Sequence, residues 1–205
     1  PGVRGPQAKP LPEAYADAVA TYLAFAVDKG ANLWSTITSW MNDRGAFRET
    51  FARQAIPMVW DFAEANPFSE SGGNILMFAE RIANVIEFLP CLPYGEVRQQ
   101  DATKINNNGF LFSTDPPYYD NIGYADLADF FYVWLRNILS KYYKDLLVTL
   151  LVPKSQELVA TPYRFNGDRQ RAERFFEDGL LKVFSNMSQC AIPNYPVTVY
   201  YAFKQ

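Results

Sequence analysis

Histidine is absent from this 205-residue chain. That absence removes a Ser-His-Asp triad, a Cys-His dyad, His-ligated metal sites and the commonest general base, so any chemistry here must proceed without imidazole. Cysteine is nearly absent as well. Cys91 and Cys190 stand 99 residues apart, with no paired spacing that would suggest zinc or a redox couple, and they read as core thiols in a reducing cytoplasm. No metal site is expected. An excess of basic residues is also missing: 19 Lys and Arg against 22 Asp and Glu leave a net charge of -3, whereas a domain that holds nucleic acid by its own field is usually basic. If the chain meets nucleic acid, other segments must supply much of the grip. No apolar run approaches the roughly 20 residues of a bilayer span, so no membrane crossing is expected. An initiator Met is lacking, and the opening Pro1-Gly2-Val3-Arg4-Gly5-Pro6 is neither a signal peptide nor a natural start. The chain reads as an excised fragment of a larger protein.

What is present is a globular composition, 49% hydrophobic and 16% aromatic, enough for a buried core without disulfides. From Pro12 to about Lys29, apolar residues on successive turns (Ala14, Ala18, Tyr22, Phe25, Ala26) predict a helix with proline in its first turn. Phe47 to Phe62 also reads as helical on either side of Pro57, and Asn66-Pro67-Phe68-Ser69-Glu70-Ser71-Gly72-Gly73 reads as a loop leading into a helix. Beyond it, Ile75, Phe78, Ala79, Ile82, Val85, Ile86 and Leu89 share one face at helical spacing, up to the stop at Pro90-Cys91-Leu92-Pro93. Two strands are expected at Glu96 to Gln100 and Gly109 to Ser113. A helix follows with Leu127, Phe130, Phe131, Trp134, Leu135 and Ile138 inside, and Leu146 to Val152 stays open between a strand and a buried turn. Asp168 caps a last helix whose buried side is Ala172, Phe175, Phe176, Leu180, Val183, Phe184 and Met187, before a strand from Pro196 to Phe203.

Strands alternating with helices predict an α/β layer structure with mainly parallel strands. Helices dominate, with a helical N-terminal segment over residues 1–92 packing on a sheet-bearing part over residues 93–205, the two making one globular unit. In such folds ligands sit beyond the carboxyl ends of the strands. Asp101 follows the first expected strand, and Thr114-Asp115-Pro116-Pro117-Tyr118 closes the second. By composition alone Asp-Pro-Pro-Tyr would occur in a chain this long about once in a thousand. Its two prolines hold the backbone extended where it leaves the sheet, without amide hydrogens of their own.

Asp115-Pro116-Pro117-Tyr118 resembles the catalytic motif of the adenine amino-methyltransferases, Asp/Asn-Pro-Pro-Tyr/Phe after a central strand of an S-adenosylmethionine (AdoMet)-binding, Rossmann-like sheet. All four positions match. The resemblance implies methyl transfer from AdoMet to the amino group of an adenine turned out of DNA into a pocket. Asp115 and the Pro116 carbonyl would accept hydrogen bonds from the amine and aim its lone pair at the donor methyl, while Tyr118 would stack on the base. It also implies that Asp101, in Val97-Arg98-Gln99-Gln100-Asp101-Ala102, contacts the adenine ring of the cofactor. The longer run from Asp115 to Leu127, together with Arg53-Gln54-Ala55-Ile56-Pro57-Met58-Val59-Trp60-Asp61 and the closing Pro196 to Gln205, is similar to a group of large prokaryotic adenine-specific DNA methylases. One departure stands out. The family's Asp-Pro-Phe-x-Gly-x-Gly turn, which holds the methionine part of AdoMet, has only a faint echo in Asn66 to Gly73, and the cofactor loop is expected upstream of Pro1.

Simpler readings stand beside these. Asp115 to Tyr118 could be a proline-stiffened turn, and Asp101 a turn-capping aspartate before Thr103. Tyr119 and Asn121 are candidates for the base pocket, with Tyr124 beside them, although aromatic and amide residues are also common turn packing. Arg164, Arg169, Arg171, Arg174 and Lys154 could touch phosphates, but Asp168, Glu173, Glu177 and Asp178 interleave with them and favour a solvated helix face. Substrates other than DNA adenine share the chemistry: cytosine amino groups, RNA bases and protein glutamine. A non-catalytic nucleic-acid or protein interaction domain with an incomplete methyltransferase fold is the alternative from another class.

Overall fold

The structure is a computed structural model, which describes residues 10–89, 95–120 and 122–201. The chain divides into two compact units, the first formed by the described residues through Arg98 with Leu127–Val152, the second by Gln99–Asp126 with the described residues from Pro153 onward.

In the first unit, α1 spans Leu11–Trp34, with proline in its first turn and Glu13 near the positive end of the helix dipole. It runs five residues past the expected end at Lys29, straight through Gly30. The glycine is tolerated because its missing side chain makes room: a Cβ there would collide with the Trp34 ring. That ring packs on Phe78 with centroids 5.9 Å apart, and its Nε1 donates to the Gly73 carbonyl at 2.9 Å. The α2 helix, Ile75–Phe88, matches expectation and is capped by Asn74, whose side chain accepts the Met77 amide at 2.8 Å. Its face against α1 centres on Phe78, only 3% exposed. The Pro90 to Pro93 stop lies outside the described residues.

The helix expected from Phe47 to Phe62 does not form. Strands β1 (Ser39–Met41) and β2 (Ala46–Arg48) make an antiparallel hairpin, turned at Gly45 with φ of 58°, and Trp40 lies opposite Phe47 with the rings edge to face at 5.2 Å. Residues 49–66 carry no regular helix or strand. Pro57 would cost an interior helix about 3 kcal/mol, and the chain around it has other partners. Thr50 is buried, and both its amide and its hydroxyl donate to the Asn32 carbonyl; the Ala63 amide donates to the Thr38 carbonyl and the Thr38 hydroxyl to the Ala63 carbonyl. The hairpin and loop are thus tied to the carboxyl end of α1.

Helix α3 spans Tyr124–Leu139 and crosses from the second unit into the first. Phe51 meets Phe130 and Phe131, each at 5.2 Å. Trp134, expected inside, is 44% exposed, while Leu139, one turn beyond it, is buried. The stripe therefore turns toward Leu139 at its end. Leu146 to Val152 is neither strand nor buried turn: Val148, Leu150 and Leu151 are exposed, and Asp129 accepts the Val152 amide.

In the second unit, α4 spans Arg169–Cys190 with Asp168 as its cap, accepting the Arg171 amide at 3.0 Å. Ala172, Phe176, Val183, Met187 and Cys190 are buried, whereas Phe184 is exposed. Strands β3 (Ser113–Thr114) and β4 (Thr198–Val199) pair in parallel, preceded by an isolated parallel bridge from Phe110 to Ala191. The expected strands at Gly109 to Ser113 and Pro196 to Phe203 are therefore shortened. Pro193 and Pro196 donate no amide to the ladder, and Asn194, at φ of 72°, turns the chain between them. Residues 202–205 lie outside the described residues. Glu96 to Gln100 is no strand, since none of the described residues pairs with it and Val97 is almost fully exposed.

The architecture is mixed helix and sheet, with four α-helices and two two-stranded pairs among the described residues, one antiparallel and one parallel. No helix among the described residues is long and apolar enough to cross a membrane.

Candidate functional site

The parallel pair carries the chain to the site. The Thr198 amide donates to the Phe112 carbonyl and the Tyr200 amide to the Thr114 carbonyl, at 3.0 and 2.8 Å, so both strands are fixed up to Thr114. Asp115 comes next, exposed at the carboxyl end of β3, and Pro116-Pro117 carry the chain stiffly away. The Tyr118 hydroxyl then turns back and donates to Asp115 Oδ1 at 3.1 Å. That bond pushes the Tyr118 phenol above its ordinary pKa, because ionisation would bring two negative charges together. The other carboxylate oxygen of Asp115 has no hydrogen-bond partner among the described residues.

Tyr201 completes this corner. Its ring meets that of Tyr118 edge to face, centroids 5.4 Å apart, and its hydroxyl accepts the Tyr119 amide at 3.2 Å. Tyr201 reaches the motif because β4 ends beside β3. No sequence signal marked Tyr201, because its place beside Asp115 depends on the pairing of Val199 with Thr114.

Tyr119 does not line an open pocket with Tyr118. Its ring packs edge to face on Phe176 of α4 at 5.3 Å, its hydroxyl donates to Glu173 at 2.8 Å, and its carbonyl accepts the Ala160 amide at 2.8 Å. Burial first, then the Glu173 bond, raises its pKa, while that bond and Arg169 hold Glu173 below the usual carboxylate range. Tyr119 therefore anchors the loop to α4. Asn121 lies outside the described residues, and Tyr124, partly exposed, begins α3.

Asp101 behaves as the simpler reading has it. It caps a 3-10 turn over Ala102–Lys104: Oδ1 accepts both the amide and the hydroxyl of Thr103, at 2.9 and 2.7 Å, and Oδ2 lies 3.4 Å from Lys104 Nζ. The Thr103 bonds lead in lowering its pKa. The cap thus occupies Oδ1, while Oδ2 meets only the exposed Lys104 amine.

The Asn66 to Gly73 loop is likewise self-contained. Asn66 accepts the Phe68 amide, the Ser69 and Ser71 hydroxyls bond each other, and the Gly73 carbonyl is taken by Trp34. Set against protein-family models, curated proteins and solved structures, the chain matches none. Function must be argued from the Asp115 corner itself.

Sequence reasoning also misplaced Arg164. It is not on the solvated face of α4 but in a separate 3-10 turn, Pro162–Phe165, ended by Asn166 in the left-handed conformation. Its side chain is only 13% exposed. The guanidinium lies 2.8 Å from both Asp126 and Glu157 and donates to the Lys154 carbonyl at 3.0 Å. Interleaved charges concealed this, because they look alike whether they face water or one another. Arg169, by contrast, is exposed, pairing with Glu173 one turn on.

Proposed function

We propose that this chain carries the target-amine side of an AdoMet-dependent methyltransferase acting on the exocyclic amino group of adenine in DNA, at the edge of a Rossmann-like sheet. The observation that carries this reading is the meeting of Asp115 and Tyr118 at the end of a parallel strand, an acceptor and an aromatic ring joined by a 3.1 Å hydrogen bond. An amino group needs acceptors to orient it and a surface on which its ring can stack. Asp115 and the Pro116 carbonyl supply the first and Tyr118 the second. A flipped base would take the Asp115 oxygen now held by Tyr118, and the freed phenol ring would stack on it; such stacking is worth about 1–3 kcal/mol per base. Orientation of the lone pair is the chain's main contribution to rate.

The cofactor would bring the electrophilic methyl group, with Asp101 the residue that the resemblance offers to its adenine ring. DNA is the proposed partner, in the cytoplasm, with the phosphate grip drawn largely from elsewhere given the net charge of -3. A second reading, a non-catalytic interaction domain, is favoured by the same engagement of Asp101. The deciding measurement is methyl incorporation from labelled AdoMet into unmethylated DNA by the full-length protein and by its Asp115→Ala variant. Loss of incorporation in the variant is expected; equal incorporation by both rules out the catalytic assignment.

A further inference from the structure

The segment Glu157 to Arg164 braces the loop that carries Asp115 and Tyr118 into α3. Glu157 Oε1 accepts the Ala125 amide at 3.0 Å, at the open N-terminal turn of α3 where helix amides lack partners. Its Oε2 takes Arg164 Nη2 at 2.8 Å, and the same nitrogen reaches Asp126 Oδ2 at 2.8 Å. Tyr163 adds a hydrogen bond to Asp126, and the Ala160 amide holds the Tyr119 carbonyl. Both ends of the Tyr119 to Asp126 stretch are thus fastened to one short segment. The pair is well shielded, Arg164 and Glu157 each 13% exposed, so removing one partner leaves the other charge uncompensated. Burial pushes Asp126 up, but the bonds from Tyr163 and Arg164 outweigh it and keep the carboxyl ionised.

Gly123 reports on the same network. A Cβ there would sit 2.9 Å from Asp126 Oδ2, 3.5 Å from the Tyr163 hydroxyl and 3.7 Å from Arg164 Nη2. Relief would require the Asp126 carboxylate to move, which costs its bonds to Arg164 and Tyr163.

We propose that Arg164 is a positioning residue: by clamping Asp126 and Glu157 it sets the exit of the acceptor loop and hence the direction in which Asp115 and Tyr118 present themselves to the target amine. It acts through the loop and touches no substrate. This inference rests on the methyl-transfer reading, and its test separates the two. In the full-length protein, methyl transfer to DNA is measured for wild type, Asp115→Ala, Arg164→Gln, Arg164→Lys and Gly123→Ala, alongside hydrogen–deuterium exchange over residues 119–126.

Given an active wild type and an inactive Asp115→Ala, Arg164→Gln should lower kcat by up to about 100-fold, as a misplacement near 1 Å can, with KM for AdoMet unchanged. Arg164→Lys, which keeps the charge between the two carboxylates but lacks the planar group that also reaches the Lys154 carbonyl, should recover part of the loss. Exchange should quicken within residues 119–126 and stay as in wild type elsewhere. Gly123→Ala should reproduce these effects and combine with Arg164→Gln less than additively. Wild-type kcat and exchange in Arg164→Gln overturn the positioning role, as does loss of protection throughout the chain, which marks a general structural part. An inactive wild type instead sinks the methyl-transfer reading, and exchange confined to the loop would then still establish the brace.

Discussion

Asp28 offers a quantitative test of the first unit. It sits on α1 with Oδ1 buried and without a hydrogen-bond partner among the described residues, and Lys29 beside it turns to Glu49 at 3.0 Å instead. Burial without compensation raises its pKa from 3.8 to about 6. A shift near two units corresponds to roughly 3 kcal/mol, which partial exposure trims to about 1–2 kcal/mol. The folded state prefers the protonated acid. Asp28 therefore costs nothing below pH 3.8, weakens the fold as pH rises from 3.8 to about 6, and exacts a constant penalty above that. In Asp28→Asn the charge is absent at every pH. Urea unfolding of both proteins between pH 4 and pH 8 should give a difference that grows in the variant's favour up to about pH 6 and then levels near 1–2 kcal/mol. Other carboxylates shift both curves alike and cancel in the difference. A difference independent of pH, or a wild type that gains on the variant as pH rises, would refute the burial argument.

Gly30→Ala should lower stability by about 1–3 kcal/mol through overpacking against Trp34, outweighing the ~1 kcal/mol helix-propensity gain, and should change tryptophan fluorescence as the ring leaves Phe78. Asn74→Ala and Asp168→Ala each remove a side-chain acceptor at a helix start and should each cost about 1 kcal/mol in urea unfolding. Tyr118→Phe keeps a ring for the base and releases Asp115 from the hydroxyl, so methyl transfer should persist with KM for DNA no higher than wild type. Tyr118→Ala should weaken DNA use by about 5- to 150-fold, the equivalent of ~1–3 kcal/mol of stacking; a Phe variant as impaired as the Ala variant would show that the hydroxyl matters more than the ring.

The second, third and fourth helices were legible because each repeats its apolar face over three or more turns, and the last announces its start with Asp168. The β1–β2 hairpin was not. Strands of three residues give period-two alternation too few positions to register, and the spacing around Phe51 imitates a helix while its real partners are Phe130 and Phe131. Glu96 to Gln100 failed for the opposite reason: its residues suit a strand, but a strand exists only where another edge pairs with it.

The same division between local and distant causes runs through the candidate site. Asp115 at a strand end and the stiffness of Pro116-Pro117 are local properties, and so is the capping of Thr103 by Asp101; both could be read from neighbouring residues. What fixes the corner comes from far away. Tyr201 meets the Tyr119 amide across 82 positions and Arg164 meets Asp126 across 38. A residue so far off leaves no spacing for a pattern to catch. It follows that Asp-Pro-Pro-Tyr alone does not define the site. A peptide spanning Phe110 to Asp126 would keep the rigid prolines and the local Tyr118–Asp115 bond but lose β4, Tyr201 and the Arg164 brace, and with them part of what holds the Tyr118 ring beside Asp115. In the whole chain that ring meets Tyr201 edge to face, a contact worth about 0.5–1.5 kcal/mol beyond area burial, or roughly 2- to 13-fold in population.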